Sequence, residues 1–419
     1  MCRHPTGCDS GATSTDGTTT SEVGRTQTAP GPDSKRPIRI GYFACQDYAS
    51  GYYGAYAALL AQDPDFVVCG GDYIYDRVYS DSGYGGIRTD NAGEGPDSIA
   101  RTIDQYRAKY RLYRSDPDHH ELHRLVPLVA QWDDHEVVDN YVATHEGQAV
   151  GDDGEETDAY DRARILAGWK AWHEHMPSLR FGGSFRTYRK LRFGRMVELF
   201  MCDSRSYKDD QGCGGAGFKP CDDLDEPRTY LGADQLAWLK RGLAGSPAAW
   251  KVVGNQMMIM PFNLQDGVPV EVDSWNGYHA ERNELLAHIG DNAKDVVFLT
   301  GDIHTFFAGE VTSTGRQGAP TDPAAVATEF VGGSITSEGI LPPGVEDPGG
   351  LALEGAVDAN NPHIKFSNFR ERGYAVVEAS SAELKVTFRA ARTVKADTSD
   401  VFDLARFRVQ RGTTVIQQL

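Results

Sequence analysis

The sequence predicts an α/β protein in which a mixed, two-sheet β-sandwich is flanked by helices. Continuous apolar runs such as Val296 to Leu299 are typical of strands that are covered on both faces. Up to residue 135, strands alternate with helical patterns, which is the order of an α/β layer. Two hairpins of alternating polarity follow, at 185–202 and 373–389, and they favour a second, antiparallel part of the sandwich.

The predicted strands that matter most each end in polar side chains able to bind metal. In chain order they are residues 37–45, 65–76, 126–136 and 250–256, followed by the run that leads into Gly301-Asp302-Ile303-His304. Helices are predicted between them, at 53–62, 98–113, 158–175, 233–244 and 280–289. Ligands of α/β sheets bind beyond the carboxyl ends of the strands, so we expect these ends to form one site.

The composition is that of a soluble globular protein, with 40% hydrophobic and 24% charged residues among 419. The net charge of −18 argues against nucleic-acid binding as the main role, because contacts with phosphate need clustered Lys and Arg. An anionic substrate would need bound cations to reverse the local charge. No apolar run approaches the length of a membrane span.

Residues 1–36 are predicted to form a disordered tail, because Thr, Ser, Gly and Pro dominate them, and residues 37–419 to form one folded domain. The start of the chain lacks the basic and apolar pattern of a secretory signal. Cys213 and Cys221 lie in one Gly- and Asp-rich loop, where they are able to form a disulfide. Such a disulfide would indicate a location outside the cytosol.

The polar residues at the strand ends fall into two groups of metal donors. A thiolate, a carboxylate, a phenolate and an imidazole suit a trivalent or borderline transition metal, and they belong to Cys45, Asp72, Tyr75 and His304. Oxygen donors suit a hard cation such as calcium, magnesium or manganese, and they belong to Asp134, Asn255 and Asp302. Asp72 is placed to bridge the two groups. Two nearby metals are the arrangement used for phosphoester hydrolysis.

Asp302 and His304 lie two residues apart, and in an extended segment they would project to the same side. The alternative is that Asp302 caps a turn while His304 makes an ordinary hydrogen bond. Repetition of polar strand ends along the chain favours the metal site.

The motifs GDYIYD, WDDHE, GNQ and GDIH, in this order and each after an apolar strand, resemble those of the alkaline phosphatase D (PhoD) family of calcineurin-like metallophosphoesterases. The resemblance runs from about residue 37 to the C-terminus and includes Cys45-Gln46 at the first strand end. The wider superfamily has Asp-x-His there, and the departure is shared with the PhoD family. The resemblance implies a metallophosphoesterase-like fold, with residues 37–419 as the catalytic domain.

The resemblance also implies a hydrolase of phosphomonoesters and phosphodiesters that uses Fe3+ and Ca2+. Carried over residue by residue, it assigns iron to Cys45, Tyr75 and His304, the bridge to Asp72, and calcium to Asp134, Asp302 and Asn255. The mechanism that follows as a hypothesis is in-line attack on phosphorus by a metal-activated hydroxide.

Two further residues are predicted to act on the substrate. His135 is able to protonate the leaving oxygen, or alternatively to orient Asp134. Arg205, in the stretch CDSRSY, is able to clamp phosphate with its planar fork, and the alternative is a surface salt bridge.

Two rival functions stay open at this point. One is a specialised phosphodiesterase of phospholipase D type, with phospholipids as substrates. The other is a noncatalytic surface protein that keeps metal for folding. Iron with calcium and a Cys213 to Cys221 disulfide favour a location outside the cytoplasm, or secretion.

Overall fold

The structure is a computed structural model that describes residues 9–13, 15, 17–78, 86–88, 99–142, 162–178, 184–215, 217–220, 222–265, 268–312, 325–341 and 348–419. Its strands are β1 (Asp9–Ala12), β2 (Gly24–Gln27), β3 (Ile38–Phe43), β4 (Phe66–Cys69), β5 (Leu128–Ala130), β6 (Arg189–Phe193), β7 (Val197–Met201), β8 (Trp250–Asn255), β9 (Asn263–Gln265), β10 (Val268–Pro269), β11 (Val296–Thr300), β12 (Phe306–Thr312), β13 (Ala325–Gly332), β14 (Ile364–Asn368), β15 (Gly373–Ala379), β16 (Glu383–Ala391), β17 (Val401–Gln410) and β18 (Ile416–Gln418). Its α-helices are α1 (Ala55–Leu60), α2 (Ile103–Tyr113), α3 (Pro117–Leu125), α4 (Arg162–His175), α5 (Ala233–Gly245), α6 (His279–Asn292) and α7 (Pro348–Asn360).

Two seven-stranded mixed sheets form the predicted sandwich. One has the order β14-β12-β13-β11-β8-β7-β6, and the other has the order β18-β17-β16-β15-β3-β4-β5. Apolar side chains from both sheets, such as Ile40, Leu199, Leu299 and Val377, share one buried cluster. This cluster is the core of the sandwich.

Helices cover the outer faces of both sheets. Leu239 of α5 and Leu285 of α6 pack on the first sheet, and Leu59 of α1 and Trp172 of α4 pack on the second. No described helix is long and apolar enough to cross a membrane. The order of layers is therefore helix, sheet, sheet, helix, as predicted.

Parallel pairing brings the carboxyl ends of strands from both sheets to one edge. In the second sheet β3, β4 and β5 are parallel neighbours. In the first sheet β7, β8 and β11 are parallel neighbours. The residues that follow these strands, from Cys45 to His304, therefore meet between the two sheets.

Helix α2 differs from its predicted start at Ser98, a residue outside the described ones. It begins at Ile103, because Thr102 caps it through a reciprocal pair of hydrogen bonds with Gln105. Helix α3 was not predicted. Its signals are Asp116, which accepts hydrogen bonds from Asp118 N and His119 N, and Pro117 in the first turn.

The described part of residues 1–36 contains two short strands, β1 and β2, which pair antiparallel. Gln27 Nε2 donates to the backbone oxygen of Asp65 at 2.6 Å, and Arg195 forms an ion pair with Asp33 at 2.7 Å. The disordered tail and the boundary between residues 36 and 37 stay predictions.

His119 of α3 is fully buried beside the ring of Tyr56, and its Nδ1 lies 2.9 Å from the backbone oxygen of Tyr113. Burial lowers the pKa of His119 from 6.5 to about 3. The unfolded chain, in which the pKa of His119 is 6.5, therefore binds a proton more readily than the folded protein. The free energy of unfolding falls as the pH drops from 6.5 towards 3, by up to about 1.4 kcal/mol per pH unit.

We expect His119→Gln to remove this part of the pH dependence. Urea unfolding of parent and variant at pH about 7 and about 4.5 should give free energies that fall less steeply in the variant. The control is His120→Gln, because His120 is exposed and its loss should leave the parent's pH dependence. An equal slope in His119→Gln and the parent would contradict the prediction.

Candidate metal centre

Three overlapping groups of metal-capable side chains lie where the strand ends meet. The first is Cys45, Asp72 and His304, the second is Asp72, Asp134 and His135, and the third is Asp133, Asp134 and Asp302. Within each group the ligand atoms lie within 4.8 Å of one another. Asp72 belongs to the first two groups and Asp134 to the last two, so the groups form one continuous chain of donors.

The first group sits at the ends of β3, β4 and β11. Tyr75 joins it, because its hydroxyl lies 3.1 Å from Asp72 Oδ2 and 2.9 Å from His304 Nε2. Ser337 Oγ also donates to the Tyr75 hydroxyl at 2.7 Å. The structure thus brings together the thiol, carboxylate, phenol and imidazole that were predicted as one set.

The tautomer of His304 suits a metal ligand. Its Nδ1 lies 2.7 Å from the backbone oxygen of Glu338. A carbonyl oxygen only accepts hydrogen bonds, so Nδ1 carries the proton and Nε2 keeps its lone pair. Burial lowers the pKa of His304 to about 4, which keeps the imidazole neutral near neutral pH.

The third group contains a residue that sequence reasoning did not assign as a ligand. Asp133 precedes Asp134 in the WDDHE motif, and this adjacency was the available signal. Asp133 Oδ2, Asp134 Oδ1 and Asp72 Oδ1 are buried and accept no hydrogen bond from any described residue. Buried carboxylate oxygens without donors are costly. A bound cation would compensate them, so the residues present fit a metal.

The pKa values describe the same crowding of carboxylates. Burial raises the pKa of Asp72 and that of Asp302 well above the ordinary range, and neighbouring carboxylates add to the rise. For Asp134, burial acts in the same direction, but Arg205 and His135 outweigh it and lower the pKa. Arg205 and His135 do not offset the charge of all these carboxylates, so the site needs further positive charge.

Asn255 ends β8 at this edge, but other groups engage its amide. Its Nδ2 donates to the backbone oxygen of Met257, and its Oδ1 accepts from Trp275 Nε1 at 3.2 Å. The predicted role of Asn255 as a ligand stays a prediction.

His135 stacks on the ring of Tyr75 with ring centroids 4.2 Å apart. Its Nδ1 lies 3.1 Å from Asp76 Oδ1. Burial would lower the pKa of His135, but the charges of Asp134, Asp72 and Asp76 raise it well above its ordinary value. The raised pKa favours the protonated form of His135, which is able to donate a proton or to contact an anionic oxygen.

Arg205, which follows β7, is fully buried and faces four carboxylates. Its Nε lies 2.5 Å from Asp133 Oδ1 and its Nη1 lies 2.5 Å from Asp273 Oδ2. Its Nη2 lies 3.4 Å from Asp134 and 3.3 Å from Asp302. Arg205 is thus ion-paired, but its salt bridges are buried and not at the surface as the alternative supposed. The phosphate-clamp role stays a prediction.

The backbone is unusual at the same residues. Cys45, Asp72, Asp302 and His304 have φ values of 54°, 53°, 69° and 55°. Left-handed conformations at non-glycine residues cost about 1–3 kcal/mol each and cluster at functional sites. Asp302 and His304 are thus not in an extended segment, and they fall in different groups rather than converging on one point. The turn after β11 aims them separately.

A cleft of about 370 Å³ opens onto the groups. Asp72, Asp134, His135, Asp302 and His304 line its floor together with Asp139 and Asn140. Phe218, Val270, Val272, Ile303 and Ile340 supply apolar wall. Cys213, five residues before Phe218 in the sequence, is disulfide-bonded. Cys221, its predicted partner, lies outside the described residues. A small polar group with an apolar substituent would fit this cleft.

Comparisons of sequence find related phosphatases. A family model described as PhoD-like phosphatase matches residues 40–388. Alkaline phosphatase D of Bacillus subtilis (strain 168) is 32% identical over 412 residues, which cover 95% of this chain and 67% of that protein.

Comparisons of structure agree with the fold. The solved structure of PhoD matches with a TM-score of 0.83 and 30% identity, over 96% of this chain and 75% of that one. Purple acid phosphatase PPD1 from yellow lupin (Lupinus luteus) seeds matches with a TM-score of 0.53 and 11% identity, over 94% of this chain and 57% of that one. At that identity the likeness concerns the fold alone. The predicted metallophosphoesterase-like architecture is confirmed.

Proposed function

The chain belongs to the PhoD-like phosphatase family, and from this premise we propose that its strand-end residues bind the metal ions with which it hydrolyses phosphate esters. A member of this family is a metal-dependent hydrolase acting on phosphoric ester bonds. Family membership therefore favours an enzyme over the alternative of a noncatalytic binding protein. The observation that carries the proposal is the sharing of Asp72 and Asp134 between adjacent ligand groups.

Fe3+ is proposed for the group formed by Cys45, Asp72, Tyr75 and His304. Anionic sulfur and oxygen donors favour a metal of high positive charge. The Nε2 lone pair of His304 and the Tyr75 hydroxyl, 2.9 Å apart, support a common metal.

Ca2+ is proposed for the oxygen-rich groups that contain Asp134 and Asp302, with Asp72 as the bridge. Carboxylate oxygens without hydrogen-bond donors support a hard cation there. Asp133 belongs to the same set by its position, and Asn255 is kept as a proposed ligand.

Bound metal ions would supply a Lewis acid and an activated hydroxide. His135 is proposed to protonate the leaving oxygen, since it lies in the floor of the cleft and is held by Asp76. Arg205 is proposed to hold the carboxylates in place through its ion pairs. Its predicted role in binding the substrate phosphate is kept as part of the proposal.

Phosphomonoesters and phosphodiesters of broad range are the proposed substrates. The apolar wall formed by Phe218 and its neighbours supports esters with an organic substituent, and it is also the observation that favours the phospholipase D type as second candidate. Phe218 is 59% exposed, as a contact for such a substituent requires.

Rates on an aryl phosphate, a bis-aryl phosphate and phosphatidylcholine, before and after chelation, test the function. We expect hydrolysis of the first two and its loss with chelator. Cleavage of phosphatidylcholine alone would select the second candidate. Elemental analysis of protein prepared without chelator should find iron and calcium, and protein without bound metal would contradict the assignment.

The phenolate of Tyr75 offers a direct test for ferric iron. A phenolate bound to Fe3+ gives a charge-transfer absorption in the visible range, to which the Cys45 thiolate would also contribute. We therefore expect the purified protein to be coloured, and Tyr75→Phe to lose the tyrosinate ring vibrations that resonance Raman excitation within this absorption enhances. Tyr73→Phe is the matched control, because the Tyr73 hydroxyl contacts His123 and Arg114 instead. Tyrosinate vibrations that persist in Tyr75→Phe would remove Tyr75 from the iron site.

A location outside the cytoplasm is likewise a proposal. The disulfide at Cys213 supports it, because disulfides persist in oxidising compartments.

A further inference from the structure

Glu136, the last residue of the WDDHE motif, is fully buried and bonded to backbone amides of two separate loops. Its Oε1 accepts from Tyr73 N at 2.6 Å and from Ile74 N at 3.4 Å. Its Oε2 accepts from Asp72 N at 3.1 Å and from Asp133 N at 2.6 Å. One carboxylate thus joins the loop after β4 to the loop after β5.

Other contacts between these two loops involve side chains, such as His135 Nδ1 at 3.1 Å from Asp76 Oδ1 and the stacking of His135 on Tyr75. Strands β4 and β5 pair in parallel only as far as Cys69 and Ala130. Beyond that pair, Gln131 bonds to the backbone oxygens of Cys69 and Gly70. The sheet therefore sets the strand positions, and further out Glu136 bonds directly to the backbone of both loops, next to Asp72 and Asp134.

The amides of Asp72, Tyr73 and Ile74 form a concave anion site. Successive N–H groups converge in this way where left-handed and right-handed residues alternate, and Asp72 has a φ of 53°. Without an acceptor, these buried N–H groups would destabilise the fold. Glu136 thereby stabilises the strained backbone that aims the Asp72 side chain.

We propose that Glu136 is a positioning residue that holds the Asp72 loop and the Asp134 loop at the separation needed to bind metal. The inference rests on the proposed binding of metal by the carboxylates of Asp72 and Asp134. The Glu136 side chain forms no hydrogen bond with either carboxylate group among the described contacts. Its partners among the described residues are the four backbone amides. Spacing of ligands is the role that such a set of partners allows.

Glu136→Gln keeps the size of the side chain but places an N–H donor against amides that are themselves donors. Partners that orient metal ligands typically contribute 10- to 100-fold to metal affinity. We therefore expect metal to leave Glu136→Gln at a chelator concentration about 10- to 100-fold lower than in the parent. Activity should return towards the parent kcat when metal is supplied in excess, because every ligand side chain remains.

The experiment measures metal retained, by elemental analysis, after dialysis of full-length protein against graded EDTA. Glu281→Gln is the matched control, because Glu281 is a buried carboxylate that accepts from Leu231 N at 2.7 Å, away from the strand ends. We expect it to lower stability without changing metal retention.

Glu136→Asp keeps the charge and shortens the reach, and it decides the case if Glu136→Gln does not fold. Parent-like retention in Glu136→Asp would overturn the proposal, as would equal retention by the parent and Glu136→Gln. A parent that holds no metal at any EDTA concentration would instead refute the proposed function. Weakened retention in the Glu136 variants alone is the expected result.

Discussion

Asp72→Asn is expected to lower kcat/KM by about three orders of magnitude or more, with loss of bound metal. Asp72 belongs to two of the three ligand groups, so its loss affects both metal sites at once. Activation of the nucleophile and stabilisation of charge by metal contribute several kcal/mol, and about 4 kcal/mol corresponds to a thousandfold change in rate. Initial rates on an aryl phosphate, together with elemental analysis, measure both effects.

The same substitution should stabilise the protein once metal is removed. Burial raises the pKa of Asp72, so its ionised form opposes folding at any pH above the unfolded value of 3.8. A neutral amide removes this penalty, and urea unfolding in EDTA should show a higher free energy of unfolding near neutral pH.

Asp116→Asn is the control for Asp72→Asn. Asp116 is also buried, but it caps α3 and pairs with Arg88 at 2.7 Å. Its substitution should cost stability and leave kcat/KM close to that of the parent. Parent-like activity and metal content in Asp72→Asn would contradict the shared-ligand geometry.

Arg205→Ala should destabilise the protein by about 3–5 kcal/mol, the usual loss when one partner of a buried ion pair is removed. The substitution leaves Asp133, Asp134, Asp273 and Asp302 without their common cation. Urea unfolding of the metal-free protein measures this loss. Added calcium should restore part of the stability, because a bound cation replaces some of the missing charge.

Arg282→Ala is the matched control for Arg205→Ala. Arg282 is equally buried, but its Nε donates to the backbone oxygen of Ile259 at 2.5 Å. Added calcium should not restore the free energy of unfolding that Arg282→Ala loses. If Arg205→Ala keeps the parent's stability and only raises KM sharply, the phosphate-clamp role would replace the organising role, and an unchanged KM would exclude the clamp.

The apolar strands and their polar ends could be predicted because each is a local pattern. Each predicted apolar run contains a strand in the structure. The polar residues at the strand ends or just beyond them are Cys45, Asp72, Asp134, Asn255 and Asp302. Among the described elements, those not predicted are helices α3 and α7 and strands β1, β2, β9, β10, β12, β13, β14, β17 and β18. Strands β12, β13, β14, β17 and β18 are short or partly polar, and pairing within the two large sheets supports them.

The grouping of donors needed distances that no local pattern contains. His135 was predicted beside the metals, but its stacking on Tyr75 depends on the packing of two different loops. Asp133 was not assigned as a ligand, and only the distances in the structure place it with Asp134 and Asp302. Glu136 accepts a hydrogen bond from Asp133 N there.

By itself, the sequence determined the chemistry of this protein: which donor types follow which strands, in which order, and hence the family and its metal-dependent hydrolysis of phosphate esters. Only the tertiary structure decided which donors share a metal group, that Arg205 faces four carboxylates, and that Glu136 joins two ligand loops. The physical reason is that donor type belongs to the residue, whereas distance across two packed sheets is set by the pairing and packing of strands far apart in the chain.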